Sequence, residues 1–284
     1  MGVLWINGEF VDESRPVILA GDRGFLYGDG LFETMRTFGG KVFQLAEHWA
    51  RLAESAEFLR IPLGMSADEA GAVAEELARR NGLQEAVIRA ALSRGPGGRG
   101  LGLVEPERPT LMIQARPLEP MPEEIYRRGM DLIVASARQN ANSPLARHKT
   151  ANYLLCLLAR QEARDAKRQE AVILNQMGQV CEASAANIFW VEGGRLVTPA
   201  VHCGLLPGVT RASVLRIAGR LGIETAEVAA PVSRLFDAEE ALLTNSVMGV
   251  MPVRRLDDRR VGAGAPGPVT RRIMEAYADR GAWA

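Results

Sequence analysis

Hydrophobic and polar positions in the first part of the chain recur with periods that distinguish strands from helices. Residues 5–11 carry an Asn-Gly pair between apolar positions, which supplies the positive φ angles of a tight turn and predicts a β-hairpin. Residues 44–60 have the helical period, since their apolar positions share one face: Leu45, Trp49, Leu52, Ala56 and Leu59. The sequence Ser66-Ala-Asp-Glu69 is a capping box and predicts a second helix that ends at Asn81-Gly82.

The rest of the chain mixes strand-like and helical patterns without internal repeats. We predict strands at 86–91, 110–115, 131–137, 171–175, 187–191, 196–198 and 241–245, and helices after Thr150 and from Thr210. A proline-bearing stretch at 116–122 interrupts the pattern and indicates a domain boundary. We therefore predict a small N-terminal α/β domain over residues 1–118, a linker over 119–125 and a larger C-terminal, cofactor-binding domain over 126–284.

Composition narrows the functional class. A chain of 284 residues, 47% apolar and 24% charged, is long enough for one large or two medium domains and can bury a full active site. The 34 basic and 34 acidic side chains balance, so we expect a small-molecule partner and no nucleic acid. Cys156, Cys181 and Cys203 lack metal-ligand spacing, and no metal is predicted. No apolar run is long enough for a membrane span, and we expect a cytoplasmic protein with no membrane partner.

One lysine is the leading candidate for covalent chemistry. Lys149 follows Arg147 and His148 and precedes an apolar run, residues 153–158, so a cationic neighbour and burial are both available to keep its amine partly deprotonated. A carboxylate follows at Glu182. An amine that forms a Schiff base and a carboxylate that keeps a ring nitrogen protonated are the groups that pyridoxal phosphate chemistry needs. The alternative is that Lys149 is an ordinary solvated lysine.

A phosphate requires backbone N–H groups at a helix start, hydroxyls and usually one arginine. The sequence Gly208-Val209-Thr210 offers the first two, because the glycine precedes a helix-forming segment and Thr210 lies in its opening turn. A plain N-cap threonine is the alternative. Thr244 and Ser246 at a strand end offer further hydroxyls that could equally be structural, and Arg51 could equally be a solvated residue flanking the apolar stripe of its helix.

Several motifs occur in one order along nearly the whole chain: Asp22-Arg-Gly-Phe-Leu-Tyr-Gly-Asp-Gly-Leu-Phe-Glu-Thr34, Glu47-His-Trp-Ala-Arg51-Leu, Lys149-Thr-Ala-Asn-Tyr153, Glu182-Ala-Ser-Ala-Ala-Asn187-Ile-Phe, Gly208-Val-Thr210-Arg and Thr244-Asn-Ser-Val. Together they resemble the class IV, fold-type IV pyridoxal phosphate enzymes, which include branched-chain and D-amino-acid aminotransferases and aminodeoxychorismate lyase. The resemblance implies an α+β, two-domain fold like that of D-amino-acid aminotransferase, with an N-terminal α/β sandwich and a larger C-terminal β-barrel-like domain with helices.

The resemblance also assigns roles to individual residues. Lys149 would form the internal aldimine with pyridoxal 5'-phosphate and move the proton, Glu182 would pair with the pyridinium nitrogen, and Tyr153 would hydrogen-bond the ring hydroxyl. The residues implied for the phosphate cup are Arg51, Val209 through its backbone, Thr210 and Ser246. In this family a neighbouring subunit completes the active site, so a homodimer is implied.

Two further segments bear on the substrate. The run from Ser93 to Leu101, Ser-Arg-Gly-Pro-Gly-Gly-Arg-Gly-Leu, is similar to a run of aminodeoxychorismate lyases in which arginines meet substrate carboxylates. Arg99 is our first choice for that role and Arg94 the second. D-Amino-acid aminotransferases carry a histidine where this chain has Leu101. Phe32 and Arg36 are also expected to bind substrate, and their segment is common in aminotransferases.

These resemblances leave two activities open. The leading interpretation is an aminodeoxychorismate lyase that converts 4-amino-4-deoxychorismate to 4-aminobenzoate and pyruvate through a Lys149 aldimine. The alternative is an aminotransferase for a D-amino acid or a branched-chain amino acid with 2-oxoglutarate or pyruvate. The motif Lys149-Thr-Ala-Asn-Tyr153 is closer to the aminotransferase pattern than to that of some lyases. A cofactor-binding protein without turnover is a third class, and the presence of both Lys149 and Glu182 argues against it.

Overall fold

The computed structural model describes residues 2–15, 18–98, 100–102 and 108–279. Its internal contacts divide the chain into two units. The N-terminal unit comprises Met1–Glu119 and His148–Asn152, and the C-terminal unit comprises Pro120–Arg147 and Tyr153–Ala284. The sequence-based division assigned residues 148–152 to the C-terminal domain, whereas in the structure this short segment belongs to the N-terminal unit.

The N-terminal unit is built on one antiparallel sheet, which has six strands in the described residues. The strands are β1 Val3–Ile6, β2 Glu9–Asp12, β3 Gly30–Phe38, β4 Lys41–Val42, β5 Ala86–Ser93 and β6 Thr110–Pro117, and the helices are α1 Arg23–Tyr27, α2 Leu45–Leu59 and α3 Ala67–Arg80. The strand order in the sheet is β2-β1-β6-β5-β3-β4. The predicted hairpin is confirmed, because β1 and β2 pair across Asn7 and Gly8, whose φ angles are 46° and 100°.

The two long helices of this unit follow their sequence patterns. Helix α2 packs on β3 and buries Trp49, Leu52 and Ala56 from the predicted stripe. Helix α3 packs on β6, and the capping box at its start is confirmed because the Ser66 hydroxyl accepts from the Glu69 N–H while the Glu69 carboxylate accepts from the Ser66 N–H. These helices and the sheet enclose the hydrophobic core of the unit.

The C-terminal unit is built on a mixed sheet of nine strands. The strands are β7 Met130–Gln139, β8 Glu170–Asn175, β9 Val180–Ala183, β10 Asn187–Glu192, β11 Arg195–Pro199, β12 Thr225–Val228, β13 Glu240–Asn245, β14 Gly249–Leu256 and β15 Arg259–Arg260. Their order is β12-β11-β10-β13-β14-β7-β8-β9, with β15 paired to β14, and the β11/β12, β14/β7 and β7/β8 pairs are parallel.

Within the part of this unit that the structure describes, five α-helices accompany the sheet: α4 Glu123–Arg128, α5 Leu154–Asp165, α6 Val209–Arg220, α7 Val232–Phe236 and α8 Pro268–Ala278. Helix α4 begins inside the predicted linker, so the stretch without regular structure is shorter than the sequence indicated. The central strands β8, β10 and β13 are buried almost throughout, which is expected for strands covered on both faces. Within the ranges that the structure describes, no helix combines the length and the apolar character that crossing a membrane requires.

Candidate active site

The segment that carries Lys149 is held by backbone hydrogen bonds along the beginning of β3. The Phe32 N–H donates to the Lys149 carbonyl at 2.9 Å, and the Ala151 N–H donates to the Gly30 carbonyl at 2.8 Å. Lys149 Nζ lies 4.5 Å from the centroid of the Phe32 ring, a distance at which a cationic amine is attracted to the ring face. The structure therefore brings together Lys149 and Phe32, two of the predicted site residues.

The neighbours of Lys149 explain how this short segment reaches β3. Gly28 has a left-handed φ of 67°, and a Cβ at this position would lie 2.9 Å from Asn152 Oδ1, so glycine permits the close approach. His148 stacks on Phe58 at 4.2 Å between ring centroids, and its Nδ1 lies 2.9 Å from the Ser55 hydroxyl. His148 is thus packed against α2 by a ring contact and a hydrogen bond.

The apolar run after Lys149 does not supply the burial that we expected. Leu154, Leu157 and Leu158 lie on α5 with exposed fractions of 68%, 61% and 48%. The buried residues of the helix are Ala159 and Ala163, on its other side. The expectation that this run shields the lysine amine within one chain is therefore wrong, because helical periodicity points the leucines outward while the small alanines meet the sheet.

A buried acid organises the face of β3 that meets α2. Both Glu33 oxygens accept hydrogen bonds from Arg51, from Nε at 2.8 Å and from Nη2 at 2.7 Å, and His48 Nδ1 lies 2.7 Å from Glu33 Oε2. Glu33 and His48 have almost no solvent exposure, and Arg51 retains 11% of its side-chain exposure. Burial alone would raise the pKa of Glu33, but the hydrogen bonds from His48 and Arg51 and the Arg51 charge outweigh it and lower the pKa to about 2.

The cluster of Glu33, His48 and Arg51 shows whether Arg51 is a solvated residue, an alternative that the sequence left open. Arg51 is not a solvated flank residue, since its guanidinium is oriented by a bidentate pair with Glu33. The pairing of Arg51 with Glu33 was not predicted from the sequence. The available signal was a charged residue inside the apolar sequence Leu31-Phe32-Glu33, which indicates a buried and therefore paired carboxylate.

Arg94, the second choice for a substrate carboxylate, is engaged inside the N-terminal unit. Its Nε donates to Asp29 at 2.8 Å, and Nη2 and Nη1 donate to the carbonyls of Leu59 at 2.7 Å and Arg60 at 3.2 Å. Burial would raise the pKa of Asp29, but hydrogen bonds from Arg94 and Arg23 lower it below its ordinary value. Because Arg94 is only 8% exposed, this geometry argues against it as a substrate ligand.

Of the two further residues predicted to bind substrate, Arg36 and Arg99, the structure describes only Arg36. Arg36 lies on β3 four residues after Phe32, on the same face of the strand, with its guanidinium 3.9 Å from the Phe38 ring centroid. Arg99, the first choice for a substrate carboxylate, lies outside the residues that the structure describes.

In the C-terminal unit, Glu182 lies on β9 and is half-buried. Its Oε2 accepts hydrogen bonds from the Leu206 N–H at 3.2 Å and from Asn187 Nδ2 at 3.4 Å. Asn187 Nδ2 also donates to the Leu206 carbonyl at 2.8 Å. The carboxylate is therefore tied to the loop that leads into α6.

The beginning of α6 has the properties of a phosphate site. Gly208 is the N-cap, and no side chain of the described residues caps the helix, so its first N–H groups are available to an anion. Thr210 is 2% exposed, and its hydroxyl makes no hydrogen bond to any described residue. A buried hydroxyl without a partner is costly unless a ligand satisfies it. The residues at this position fit a phosphate group.

The other predicted cofactor residues have the following positions in the C-terminal unit. Val209 is the first residue of α6, and Tyr153 is the half-buried N-cap residue of α5. Ser246 follows the end of β13 and is half-buried. Thr244, inside the same strand, is 1% exposed. Like that of Thr210, its hydroxyl lacks a hydrogen-bond partner among the described residues.

Comparison with known proteins decides the family. Residues 30–256 match the model of the amino-transferase class IV family. The chain belongs to this family. It is 33% identical to the branched-chain-amino-acid aminotransferase of Escherichia coli over 96% of this chain and 91% of that protein. It is 30% identical to the aminodeoxychorismate lyase of Bacillus subtilis over 97% of this chain and 93% of that protein.

Solved structures agree with the family assignment. A crystal structure of the T.th. branched-chain amino acid aminotransferase with pyridoxamine 5'-phosphate superposes with a TM-score of 0.91 at 33% identity, covering 98% of this chain and 93% of that chain. The predicted α+β, two-domain, fold-type IV class is confirmed. The class IV enzyme uses pyridoxal 5'-phosphate as its cofactor, and the phosphate-type site at Thr210 is consistent with it.

Proposed function

We propose that this class IV enzyme is an aminotransferase for amino acids with aliphatic side chains, with Lys149 as its catalytic residue. The observation that carries the proposal is the placement of Lys149, whose backbone is paired to β3 while its amine lies against the apolar ring of Phe32. An apolar ring beside the reacting amine favours an aliphatic substrate side chain over a charged one. The relatives named as branched-chain aminotransferases support the same substrate class.

The bound cofactor supplies an electron sink for the charge that develops when a substrate loses its α-proton. Lys149 holds and moves that proton at Nζ. This role requires that the Lys149 amine alternate between its neutral and charged forms. When the cofactor is bound, Glu182 would keep a proton on the ring nitrogen, and Tyr153 would donate a hydrogen bond to the ring hydroxyl. Phe32 and Arg36 lie on the same side of β3 and would face the substrate.

The phosphate would be held by the residues that the sequence singled out: Arg51, the Val209 backbone, Thr210 and Ser246. Two observations support this set. The Glu33 carboxylate fixes the guanidinium of Arg51 in one orientation, so little conformational entropy remains to be lost on binding. The unpartnered hydroxyl of Thr210 lies in the first turn of α6, where backbone N–H groups favour an anion.

Aminodeoxychorismate lyase is the second candidate activity. It is favoured by the run from Ser93 to Leu101, which is similar to that of the lyases, and by the relative from Bacillus subtilis. In this reaction 4-amino-4-deoxychorismate would lose its enolpyruvyl group as pyruvate, and the ring would become aromatic as 4-aminobenzoate. We rank it second because Arg94 is engaged by Asp29, which leaves the proposed carboxylate contact to Arg99 alone.

Two assays on the cofactor-loaded protein separate the candidates. The first supplies L- or D-leucine and L- or D-valine with 2-oxoglutarate or pyruvate and follows the new amino acid. The second supplies enzymatically generated 4-amino-4-deoxychorismate without any oxo acid and follows 4-aminobenzoate and pyruvate. The proposal expects product in the first assay only. Equal amounts of 4-aminobenzoate and pyruvate in the second, with no transfer in the first, would establish the lyase instead.

A pair of lysine variants tests the role of Lys149 in either assay. Lys149→Ala is expected to abolish product and the visible absorbance of the bound cofactor. Lys41→Ala is the matched control, because Lys41 is a solvent-exposed lysine of the same unit that pairs with Glu75. Equal activity of both variants would show that turnover does not depend on Lys149.

We also propose that the enzyme works as a homodimer. The exposed leucines of α5, Leu154, Leu157 and Leu158, form an apolar face on one side of the helix, and such a face is typical of a surface that a second chain covers. The family resemblance supports the same assembly. The expected cytoplasmic location stays a prediction.

A further inference from the structure

Glu182 lies on a strand of only four residues, β9, and its side chain has three rotatable bonds. A carboxylate that must meet one ring nitrogen in one direction needs partners that remove this freedom. Two such partners contact the same oxygen, Oε2: the Leu206 N–H at 3.2 Å and Asn187 Nδ2 at 3.4 Å.

Asn187 is the residue that connects Glu182 with the loop before α6. It is 6% exposed and begins β10, where its backbone pairs with Thr244 of β13. Its Nδ2 also donates to the Leu206 carbonyl at 2.8 Å. Its Oδ1 lies against Gly208, so closely that a Cβ at Gly208 would collide with it. One amide therefore contacts the carboxylate, the middle of the loop and the N-cap of α6.

The chemistry of the amide suits this position. A neutral amide donates through nitrogen and accepts through oxygen, so it can hold an ionised carboxylate and contact backbone at the same time without adding charge. An aspartate of nearly the same shape would lose both N–H donors and bring a second negative charge to Glu182. A serine would keep one donor but would be too short to reach both partners.

We infer that Asn187 is a positioning residue that holds Glu182 and the first turn of α6 at a fixed separation. This inference rests on the proposed function, in which Glu182 meets the cofactor ring and Thr210 meets its phosphate. Both groups would contact one small molecule, whose ring nitrogen and phosphate are only a few bonds apart, so an error in their separation would weaken both contacts together. Asn187 acts through these residues and requires no contact of its own with the cofactor.

The test measures binding of pyridoxal 5'-phosphate to the apoprotein rather than turnover. Asn187→Asp and Asn187→Ser are expected to weaken the affinity about ten- to hundredfold, the effect of losing a hydrogen bond to a charged group. Thr198→Val is the matched control. Thr198 is fully buried on the adjacent strand β11, and its hydroxyl donates to the Ile188 carbonyl at 2.8 Å rather than to Glu182 or the 206–208 loop.

A spectroscopic readout separates positioning from general stability. The pH at which the visible absorbance of the bound cofactor changes should move upward in Asn187→Asp, because a second carboxylate beside Glu182 favours protonated forms nearby. Thr198→Val should leave this pH and the affinity unchanged while lowering the unfolding temperature of the apoprotein. Wild-type affinity in both Asn187 variants, or an equal loss in Thr198→Val, would overturn the inference.

Two more variants distinguish failure of the inference from failure of the proposed function. Glu182→Ala and Thr210→Ala must weaken cofactor binding if their proposed roles hold. When they do and the Asn187 variants bind like the wild type, the positioning role alone is wrong. When Glu182→Ala and Thr210→Ala themselves bind like the wild type, the proposed cofactor contacts are wrong, and the inference falls with them.

Discussion

At the scale of single residues, Glu33 is a buried, paired acid whose loss should lower the stability of the protein. Glu33→Gln is expected to lower the free energy of unfolding at pH 7 by a few kcal/mol, because the largely buried Arg51 would lose its charged partner. Urea unfolding at pH 7 measures this change. Glu76→Gln is the control, since Glu76 has a similarly low pKa but lies at the surface with Arg79 and Arg80, and surface pairs contribute little.

The pKa of Glu33 also predicts how the destabilisation caused by Glu33→Gln depends on pH. Because the pKa is lowered in the folded state from 4.5 to about 2, the stabilisation is fully present above pH 4.5 and is lost as the pH falls toward 2. The difference in unfolding free energy between wild type and Glu33→Gln should therefore be constant from pH 7 to 5 and shrink below that range. A difference that does not change with pH would contradict the ionised, paired state of Glu33.

Two buried threonines should respond in opposite ways to loss of the hydroxyl. Thr210→Val removes a hydroxyl that has no partner among the described residues, so the apoprotein should be as stable as the wild type or about 1 kcal/mol more stable. Thr198→Val removes a hydrogen bond to Ile188 and should cost about 1 kcal/mol. Thermal unfolding of the apoproteins measures both.

Cofactor binding supplies the complementary half of this prediction. Thr210→Val should weaken the affinity for pyridoxal 5'-phosphate roughly tenfold, since its hydroxyl is proposed to contact the phosphate. Thr198→Val should leave the affinity unchanged. Equal affinity of Thr210→Val and the wild type, together with a loss of apoprotein stability, would indicate that Thr210 serves the fold alone.

At the scale of elements, helix α6 has a glycine at its N-cap, Gly208, and one in its last turn, Gly219, and the two have different constraints. Gly208 is its N-cap, and a Cβ there would collide with Asn187 Oδ1, so Gly208→Ala should destabilise the protein and weaken cofactor binding by displacing the first turn. Gly219 lies in the exposed last part of the same helix with open space around it, and Gly219→Ala should stabilise the protein by roughly 0.5–1 kcal/mol. Chemical unfolding and cofactor titration of both variants check the contrast, which would fail if Gly208→Ala bound cofactor normally.

Strand β3 shows why local patterns missed an element that organises the site. Its polar residues Glu33, Thr37 and Arg36 break the expected alternation, yet Glu33 and Thr37 are fully buried. Glu33 is satisfied by residues of α2, and the Thr37 hydroxyl is 2.9 Å from the Glu85 carboxylate. These partners lie 15 to 48 positions away in the chain, so no local window contains them.

At the scale of the whole molecule, the apolar face of α5 predicts assembly. The double variant Leu154→Glu/Leu158→Glu should convert the proposed dimer to a monomer, because two charges would be desolvated in the contact. Light scattering after size exclusion measures the mass. Met177→Glu is the control, since Met177 is similarly exposed, at 59%, but lies on a turn between β8 and β9. A dimer that persists in the double variant would place the contact elsewhere, and a monomeric wild type would remove the proposal.

The sequence by itself determined the features whose causes are local. The Asn7-Gly8 turn, the apolar stripe of α2 and the capping box of α3 each depend on residues within one or two turns of chain, and all three are present in the structure. The ordered motifs likewise determined the family, and Lys149 stood out by its place among them.

Tertiary structure alone decided which charged groups are engaged and where the lysine segment lies. Arg94 is committed to Asp29, 65 positions away in the chain, and residues 148–152 return to β3 of the N-terminal unit. The leucines after Lys149 face outward because α5 turns its alanines toward the sheet. Burial, ion pairing and side-chain orientation depend on atoms that folding brings together from distant positions in the chain. A local sequence pattern therefore cannot predict them.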